Sequence, residues 1–373
     1  MYFYWPVAAR ALGLAVARFR PVHFVFTVIL ALLFTMLAIT VTIASLLDEL
    51  FFPGYHRQAI VRPIYIVATP RSGTTFLHRL MCLDERFTWL KLYQTLLPSV
   101  TLMKGMQLLS TLDRRIGGPL HRLNRWGSSR AFAGWKGIHE VGFDRAEEDE
   151  MIWLFAMLSP GLVLLFPWPG DFPEALYPDR LSERARRKLA AWYGRFLRKH
   201  AHVVGRGRTL LAKNALIAGR VEVTLAAVPD ARFVHLVRHP YEAIPSLLSM
   251  FTVPWRTHSP QLRRDGPEVR ALAEMTVEYY RRMDRLEEEL GSERVVTVRY
   301  EALMADPEGT VEQIYSRFGL GMDDSLRSRL RQELATARSY RSGHQYSLEE
   351  YGLSRNWVYE RLPELFATRG FDR

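Results

Sequence analysis

Apolar residues in this chain fall into one long segment and several short runs. The short runs include residues 64–68, 232–237 and 295–298, and turn-forming or polar residues follow each of them. Short apolar runs with such boundaries are typical of buried strands in a parallel sheet. Residues 85–205 are mostly helical in pattern. One predicted helix there has an apolar stripe made of Leu181, Ala185, Leu189, Trp192 and Phe196. The pattern therefore predicts an α/β fold with a central, mainly parallel sheet and helices on both faces, and a length of 373 residues fits one large domain of this kind as well as two average ones.

The long apolar segment, residues 24–47, contains no charged side chain. It is long enough to cross the hydrocarbon core of a bilayer with some tilt. It is too long for a signal peptide and lacks a clear small-residue cleavage site. The alternative is a buried core helix. We expect residues 1–50 to form a membrane anchor and residues 60–373 to form the catalytic domain.

The first short run leads directly into a loop suited to anions. The strand at 64–68 breaks into Thr69-Pro70-Arg71-Ser72-Gly73-Thr74-Thr75, and helical periodicity starts at Phe76. A strand, a tight turn and a helix start place backbone N–H groups at the positive end of a helix dipole. The loop lacks the first Gly and the Lys of G-x-x-x-x-G-K-[ST], so it does not match the nucleotide-hydrolase phosphate loop. The alternative is an ordinary strand–helix turn with capping hydroxyls.

A second block has the same strand–turn–helix form. The run 232–237 ends at Arg238, Pro240 stops the strand, and Ser246 follows eight positions after Arg238. In a parallel sheet the carboxyl ends of the strands form the ligand-binding edge. Arg238 and Ser246 could therefore converge on a second phosphate, although a structural Arg and a helix Ser would give the same pattern.

Together the two blocks resemble the 5′-phosphosulfate loop and the 3′-phosphate element of sulfotransferases that use 3′-phosphoadenylyl sulfate (PAPS). A third block, Tyr300-Glu301-Ala302-Leu303 after the run 295–298, is similar to a Y-E-D-L turn of that family. The resemblance covers roughly residues 60–352 and points to a bacterial, membrane-anchored branch. It implies a P-loop-like three-layer fold with a helical insertion, PAPS as donor and PAP as product.

The resemblance also assigns roles to individual residues. Arg71 and the Ser72–Thr75 loop, made of Ser72, Gly73, Thr74 and Thr75, would bind the 5′ end of the donor and stabilise the leaving group. Arg238 and Ser246 would bind its 3′-phosphate. Tyr300 would lie near the adenine, and a core Tyr is the alternative reading of that position. These assignments are expectations carried by the matching motifs.

The general base is less clearly indicated. Cytosolic members of the family carry Lys-Thr-His at the position of Lys213-Asn214-Ala215, so Lys213 matches but the His position is Ala215. The stretch 136–150 resembles an H-x-x-G-x-D-x-P-E-E-D-E segment of bacterial sulfotransferases. It offers His139 and Glu148 as bases, and we favour His139 because an imidazole titrates near neutral pH. Capping of the following helix is the alternative role for the acids. Lys213 would steady the transferring group.

Charge and composition limit the classes of partner that the chain is expected to bind. The net charge is +11, and the chain has a single cysteine, which excludes an intramolecular disulfide. Arg is spread along the chain without a nucleic-acid motif, so a doubly phosphorylated donor and an anionic bilayer explain the charge better than nucleic acid does. No metal-ligand spacing is present, and no metal is expected. The sequence carries no indication of the oligomeric state.

The function predicted is transfer of a sulfuryl group from PAPS to a hydroxyl of a lipid-like, membrane-associated or small-molecule acceptor. A P-loop-type kinase and a non-catalytic nucleotide-binding membrane scaffold are the alternatives. Arg10, Arg18 and Arg20 precede the apolar segment, and a simple charge count would place the N-terminus in the cytoplasm and the catalytic domain outside. A cytoplasmic donor opposes that orientation. An in-plane or re-entrant pair made of residues 1–20 and 24–47 would keep the catalytic domain facing the cytoplasm.

Overall fold

The computed structural model describes residues 2–69, 71–119, 122, 148–205, 207–337 and 346–373. His139, which was predicted as a base, and Pro70 lie outside these residues. The sheet consists of five parallel strands in the spatial order β2-β3-β1-β4-β5. The strands are β1 (Ile64–Ala68), β2 (Phe87–Thr88), β3 (Thr209–Asn214), β4 (Arg232–Val237) and β5 (Val295–Arg299). The three short apolar runs of the sequence are thus β1, β4 and β5.

Helices occupy most of the remaining described chain. Before β3 they are α1 (Trp5–Ala17), α2 (Pro21–Phe51), α3 (Thr74–Met81), α4 (Leu92–Leu96), α5 (Val100–Arg115), α6 (Glu150–Phe155), α7 (Leu162–Leu165), α8 (Pro173–Leu176) and α9 (Glu183–Val204). After β3 they are α10 (Val221–Ala227), α11 (Pro240–His258), α12 (Pro267–Asp284), α13 (Leu286–Leu290), α14 (Tyr300–Ala305), α15 (Pro307–Arg317), α16 (Asp324–Ala337), α17 (Arg355–Arg361) and α18 (Pro363–Arg369). The predicted helical insertion corresponds to α4–α9, between β2 and β3.

The sheet separates two apolar cores. Along β1, Tyr65 and Val67 pack into the larger core, whereas Ile64, Ile66 and Ala68 pack into the smaller one. All five side chains are buried, as expected for a central strand covered on both faces. This arrangement confirms the predicted three-layer α/β fold.

Parallel pairing brings the ends of the central strands to one edge. In the register, Val67 lies beside Asn214, Ala68 beside Leu236, and Val237 beside Arg299. The segments that follow β1, β3, β4 and β5 therefore start next to one another. The sequence had placed the candidate donor-binding residues in or just after these same strands.

The long apolar segment forms one helix, α2, which begins before and ends after the predicted residues 24–47. It is the one helix in the described part of the chain that is long and apolar enough to cross a membrane. Its most apolar 18-residue window has a mean hydropathy of 2.7, and only 11% of that window is buried. It is therefore not a core helix. The division into an anchor and a catalytic domain stays a prediction.

Candidate functional site

The loop between β1 and α3 has a tight backbone turn that an anion can approach closely. Arg71 has a φ of 72° and Gly73 a φ of 85°, both in the left-handed region. The Ser72 hydroxyl donates to the carbonyl of Thr69 at 2.7 Å and so tightens the turn. Helix α3 then begins at Thr74. The first N–H groups of a helix have no carbonyl partner within it, so this turn presents amide donors at a positive helix end.

Tyr300 limits the space above this loop. It is the first residue of α14, directly after β5. A Cβ atom added to Gly73 would lie 3.0 Å from the Tyr300 ring, closer than side chains normally pack. The guanidinium carbon of Arg238 lies 4.6 Å from the centre of the same ring. Tyr300 thus contacts both the β1–α3 loop and Arg238, the residue that follows β4.

The two predicted phosphate-binding blocks meet in space. Arg71 Nε donates to the Ser246 hydroxyl at 3.2 Å, and Arg238 Nη1 donates to the Arg71 carbonyl at 2.9 Å. Arg238 also pairs with Glu242, whose side chain is 58% exposed. An exposed pair of this kind contributes little free energy, so an anionic ligand could replace Glu242. Two guanidinium groups that are distant in sequence therefore lie at one edge of the sheet.

Lys213, near the end of β3, contacts both the β1–α3 loop and the acidic segment, by which we mean residues 148–150. Its side chain is almost fully buried, with 1% exposed. Its Nζ donates to Thr75 Oγ1 at 3.1 Å and lies 3.3 Å from Oε1 of Glu148. The structure thus brings together one of the two predicted bases, the predicted lysine and the predicted donor loop, residues 72–75.

A buried polar network beside Glu148 was not foreseen from the sequence. The Asp149 carboxylate accepts hydrogen bonds from Tyr193 and from Asn214, which follows Lys213. Glu150 pairs with Arg220, and Arg220 Nη2 donates to Asn214 Oδ1 at 2.9 Å. Burial raises the pKa of both Asp149 and Glu150, and the positive charge of Arg220 opposes that shift. The network fixes the start of α6, and with it the position of Glu148.

His78, on α3, lies close to these groups and is a structural residue. It is buried, and its Nε2 is 3.3 Å from the Leu211 carbonyl oxygen. Burial, together with the nearby charge of Lys213, lowers the pKa of His78 to about 3. So low a pKa makes the imidazole a weak base, and its burial keeps it from an acceptor, so His78 is not a candidate base. The described residues contain no group of three or more His, Cys, Asp or Glu side chains arranged to hold a metal ion.

Comparison with known proteins identifies the family. The sequence profile described as "Sulfotransferase family" matches residues 63–324, which include every predicted site residue. The omega-hydroxy-beta-dihydromenaquinone-9 sulfotransferase Stf3 of Mycobacterium bovis is 29% identical over 355 residues, covering 92% of this chain and 84% of the relative. The protein of that name from Mycobacterium tuberculosis matches equally well.

Solved structures agree on the fold. Sulfotransferase STF9 of Mycobacterium avium superposes with a TM-score of 0.67 at 20% identity, over 85% of this chain and 79% of that one. Sulfotransferase STF1 of Mycobacterium tuberculosis H37Rv gives a TM-score of 0.63 at 22% identity, over 86% and 81%. The profile match extends over more than half of the chain, and neither the kinase nor the non-catalytic scaffold finds support in these comparisons. The chain belongs to the sulfotransferase family and is an enzyme.

Proposed function

We propose that this enzyme transfers the sulfuryl group of PAPS to a hydroxyl group of a lipid-like, membrane-associated acceptor. The observation that carries the proposal is the position of Lys213, whose ammonium group contacts both Thr75 of the donor loop and the Glu148 carboxylate. In sulfuryl transfer, negative charge develops on the leaving group and the acceptor hydroxyl loses a proton. The Lys213 cation could balance the charge beside the loop, and the carboxylate next to it could accept the proton.

The residues at the sheet edge fit a donor with two anionic ends. The amides of the Ser72–Thr75 loop and the Arg71 guanidinium would hold the 5′ end, while Arg238 and Ser246 would hold the 3′-phosphate. Because Gly73 has no side chain, the Tyr300 ring can lie close to the loop backbone. This position would allow Tyr300 to contact the flat base of a donor whose phosphate is bound by the loop. PAPS, when bound, supplies the activated sulfuryl group.

Two charged side chains would then act on the acceptor side of the site. Lys213 would balance negative charge next to Thr75, and its burial strengthens that effect because little water screens it. Glu148, with a partly exposed carboxylate held by Lys213, would take the proton of the acceptor hydroxyl. His139 stays the other predicted base.

One feature of the helical insertion supports a lipid-like acceptor. Helix α6 begins two residues after Glu148 and ends at Phe155, which packs edge-to-face on Phe34 of α2 with ring centres 5.2 Å apart. The six residues of α6 span less than roughly 10 Å, so α6 connects the Glu148 region with the apolar helix over a short distance. The named activity of the Mycobacterium bovis relative, on a hydroxylated menaquinone, points to the same acceptor class.

The proposal can be tested with the purified full chain in detergent. Radiolabelled PAPS should transfer its sulfur to a hydroxylated isoprenoid lipid, whereas ATP should neither donate nor raise the melting temperature. The Glu148→Gln variant should lose roughly 10²–10⁴ in turnover while it binds PAP with unchanged affinity. Glu312→Gln, which changes an exposed carboxylate paired with Arg327 away from the site residues, is the matched control and should keep full turnover.

The outcome distinguishes the two predicted bases. Wild-type turnover in Glu148→Gln together with a large loss in His139→Ala would reject Glu148 and assign the proton transfer to His139. Absence of labelled lipid with every hydroxylated acceptor, in a protein that binds PAP, would reject the lipid-like acceptor.

A further inference from the structure

Helix α2 contacts the rest of the protein through one narrow stripe that runs along its full length. Its buried residues are His23, Thr27, Val41, Ala44 and Asp48, and residues 30, 34 and 37 between them are half-buried. These positions follow one another at alternating intervals of three and four residues, which places them on a single face of the helix. The helix is roughly 46 Å long at 1.5 Å per residue, and the body of the protein covers that face from one end to the other.

The first end of α2 is tied to the body by aromatic and polar contacts. His23 Nε2 lies 3.1 Å from the Leu165 carbonyl oxygen, at the end of α7. The ring of Phe26 stacks on that of His258, at the end of α11, with centres 4.9 Å apart. The contact between Phe34 and Phe155 follows near the middle of the helix.

The second end is tied by a buried ion pair and a helix cap. Asp48 lies 2.9 Å from Nζ of Lys199, and both side chains are less than a tenth exposed. The same carboxylate accepts hydrogen bonds from the amides of Val100 and Thr101 and from the Ser99 hydroxyl, at 2.7–2.9 Å. Asp48 therefore caps α5 and holds α9 at once. Removing either charge would leave the other buried without its partner, so this end of α2 is firmly attached.

The opposite face of α2 is apolar and exposed, and it does not stand alone. Among the described residues, every exposed large hydrophobic side chain except Val61 and Met304 lies on α1, α2 or α5 or directly after one of them. Both α1 and α5 pack against α2. We call the exposed apolar faces of α1, α2 and α5 the apolar platform. Exposed basic residues flank it, at Arg20 before α2 and at Arg114 and Arg115 at the end of α5.

We propose that the apolar platform seats the enzyme on one leaflet of an anionic bilayer, with α2 lying in the plane of the membrane instead of crossing it. A crossing helix needs lipid around its whole circumference for about 30 Å, which corresponds to about 20 residues. Here the body covers one face of α2 along the entire helix. If α2 crossed the bilayer, the parts of the body that pack on its middle, such as α6 at the contact between Phe34 and Phe155, would enter the hydrocarbon with it.

The hydrogen bonding of the platform suits lipid better than a second protein. The hydroxyls of Thr35, Thr40 and Thr42, all exposed on α2, donate to backbone carbonyls one turn earlier at 2.6–2.9 Å. Their hydrogens are thus already satisfied within the helix, as a hydrocarbon environment requires. Protein interfaces, in contrast, form about one hydrogen bond per 100–200 Å². Trp5, which is 73% exposed at the start of α1, is a residue type enriched at the membrane boundary.

The in-plane position also removes the conflict over orientation. When no segment crosses the bilayer, the arginines before and after α2 stay on the same side as the catalytic residues. The positive charge near Arg20 then meets anionic headgroups instead of setting a crossing direction. The catalytic domain can therefore face a cytoplasmic donor although the charge count suggested otherwise.

Depth measurements along α2 test the proposal. Nitroxide labels are attached one at a time to cysteines introduced into a full-length Cys82→Ser protein, which is bound to vesicles of phosphatidylcholine and phosphatidylglycerol. The labelled positions are seven residues apart and all exposed: Val22, Ile29, Met36, Ile43 and Leu50. We expect all five labels to lie at one depth, about 5–10 Å below the headgroups. A label at Val61, an exposed apolar residue outside the platform, should stay in water.

A different depth profile would overturn the proposal. In a crossing helix, the label at Met36 would lie deepest, because Val22 and Leu50 are each roughly 21 Å away along the axis. If all five labels stayed shielded from both lipid and aqueous relaxation agents, and the protein had the mass of a dimer, the platform would be an interface between two copies.

Charge substitutions give an independent test that does not depend on labels. Leu32→Glu combined with Met36→Glu changes two positions of α2 that are more than half exposed and should leave the fold intact. We expect vesicle flotation of this variant to require at least ten times more lipid than the wild type. Val61→Glu with Met304→Glu is the matched control, because it adds the same charges at exposed apolar residues outside the platform. Equal flotation of both double variants would exclude the platform as the membrane-binding surface.

Discussion

Replacing Gly73 with alanine probes the contact that joins the donor loop to Tyr300. Two separate effects oppose the new methyl group. The φ of 85° lies in the left-handed region, which costs an L-residue about 1–2 kcal/mol. In addition, the Cβ atom would lie 3.0 and 3.1 Å from two carbons of the Tyr300 ring. The ring or the loop must therefore move.

A second glycine in the chain separates these two effects. Gly370 is also in the left-handed α conformation, with φ 62° and ψ 44°, and a Cβ atom built there meets only the end of the Arg299 side chain, at 4.0 Å. Gly370→Ala should therefore show the backbone cost alone, about 1–2 kcal/mol. Gly73→Ala should show the same cost and a further term for overpacking, typically about 1–3 kcal/mol. We expect Gly73→Ala to be the more destabilised variant by that difference.

Denaturant unfolding and calorimetric titration with PAP measure the two consequences. Gly73→Ala should bind PAP more weakly because Tyr300 and the loop are displaced, whereas Gly370→Ala should bind it as the wild type does. In a Tyr300→Ala background, Gly73→Ala should cost no more than Gly370→Ala, since the ring is gone. Equal destabilisation by the two alanines in the wild-type background would refute this reasoning.

Three further predictions concern charge and burial. Arg238→Ala should weaken PAP binding by tens to hundreds of fold in titration calorimetry, because a charge-assisted contact contributes about 2–3 kcal/mol; unchanged affinity would remove the 3′-phosphate assignment. Burial lowers the pKa of His235 to about 3, so the folded protein takes up no proton there between about pH 6.5 and 3 while the unfolded chain does. The free energy of unfolding should therefore decrease as the pH is lowered through that window, by about 1.4 kcal/mol per pH unit for this residue. In urea unfolding, His235→Leu should show a smaller decrease over the same pH range. Arg220→Met should lower the free energy of unfolding by about 3–5 kcal/mol, because it leaves the Glu150 carboxylate buried without its cation, and the combined Arg220→Met, Glu150→Gln variant should recover part of that loss.

Local pattern was sufficient to predict β1, β4 and β5 and the residues at their ends, but not the two-residue strand β2, which lies in the stretch expected to be mostly helical. An apolar run followed by Thr69 and Gly73, or by Arg238 and Pro240, defines where a strand stops and what its end presents. Parallel pairing then brings those ends together, so the meeting of Arg71 with Ser246 follows from the topology. What local pattern cannot supply is the contact across the sheet, such as the approach of Tyr300 to Gly73.

The acidic segment shows why other features were missed. A run of acidic residues is normally solvated, and helix capping was a reasonable expectation for Asp149 and Glu150. Instead both side chains are buried against partners that come from β3 and α9 and from the segment just before α10, at Arg220. Such pairing depends on tertiary distance, and no spacing in the sequence encodes it.

The apolar pattern of α2 was also a poor guide, because it does not show which face of the helix contacts the protein. Pattern analysis assigns the most apolar face of a helix to the protein core, and a helix that is apolar all round to a membrane crossing. In α2 the stripe that contacts the protein includes the polar residues His23, Thr27 and Asp48 beside the apolar Val41 and Ala44, while many leucine, isoleucine and valine side chains face outward. The covered stripe is therefore more polar than the face that a surface helix of a soluble protein turns to its core. His23 and Asp48, which lie on this stripe directly before and after residues 24–47, were the signal that a protein surface, and not lipid, covers that face.

The last two residues of β3 hold the acidic segment in a fixed position relative to the β1–α3 loop. Successive residues of a strand point to opposite faces, so Lys213 and Asn214 reach in different directions. Lys213 contacts Thr75 and Glu148, whereas Asn214 contacts Asp149. Two adjacent residues of the central sheet thus hold two adjacent residues of the acidic segment, and the same sheet carries the donor loop. The distance from the Glu148 carboxylate to the donor loop is therefore set by the rigid core, while α6 extends from that point to the apolar helix α2. An acceptor that reaches Glu148 from the membrane side would meet a carboxylate whose position relative to the loop is already fixed, which is the preorganisation that in-line group transfer needs.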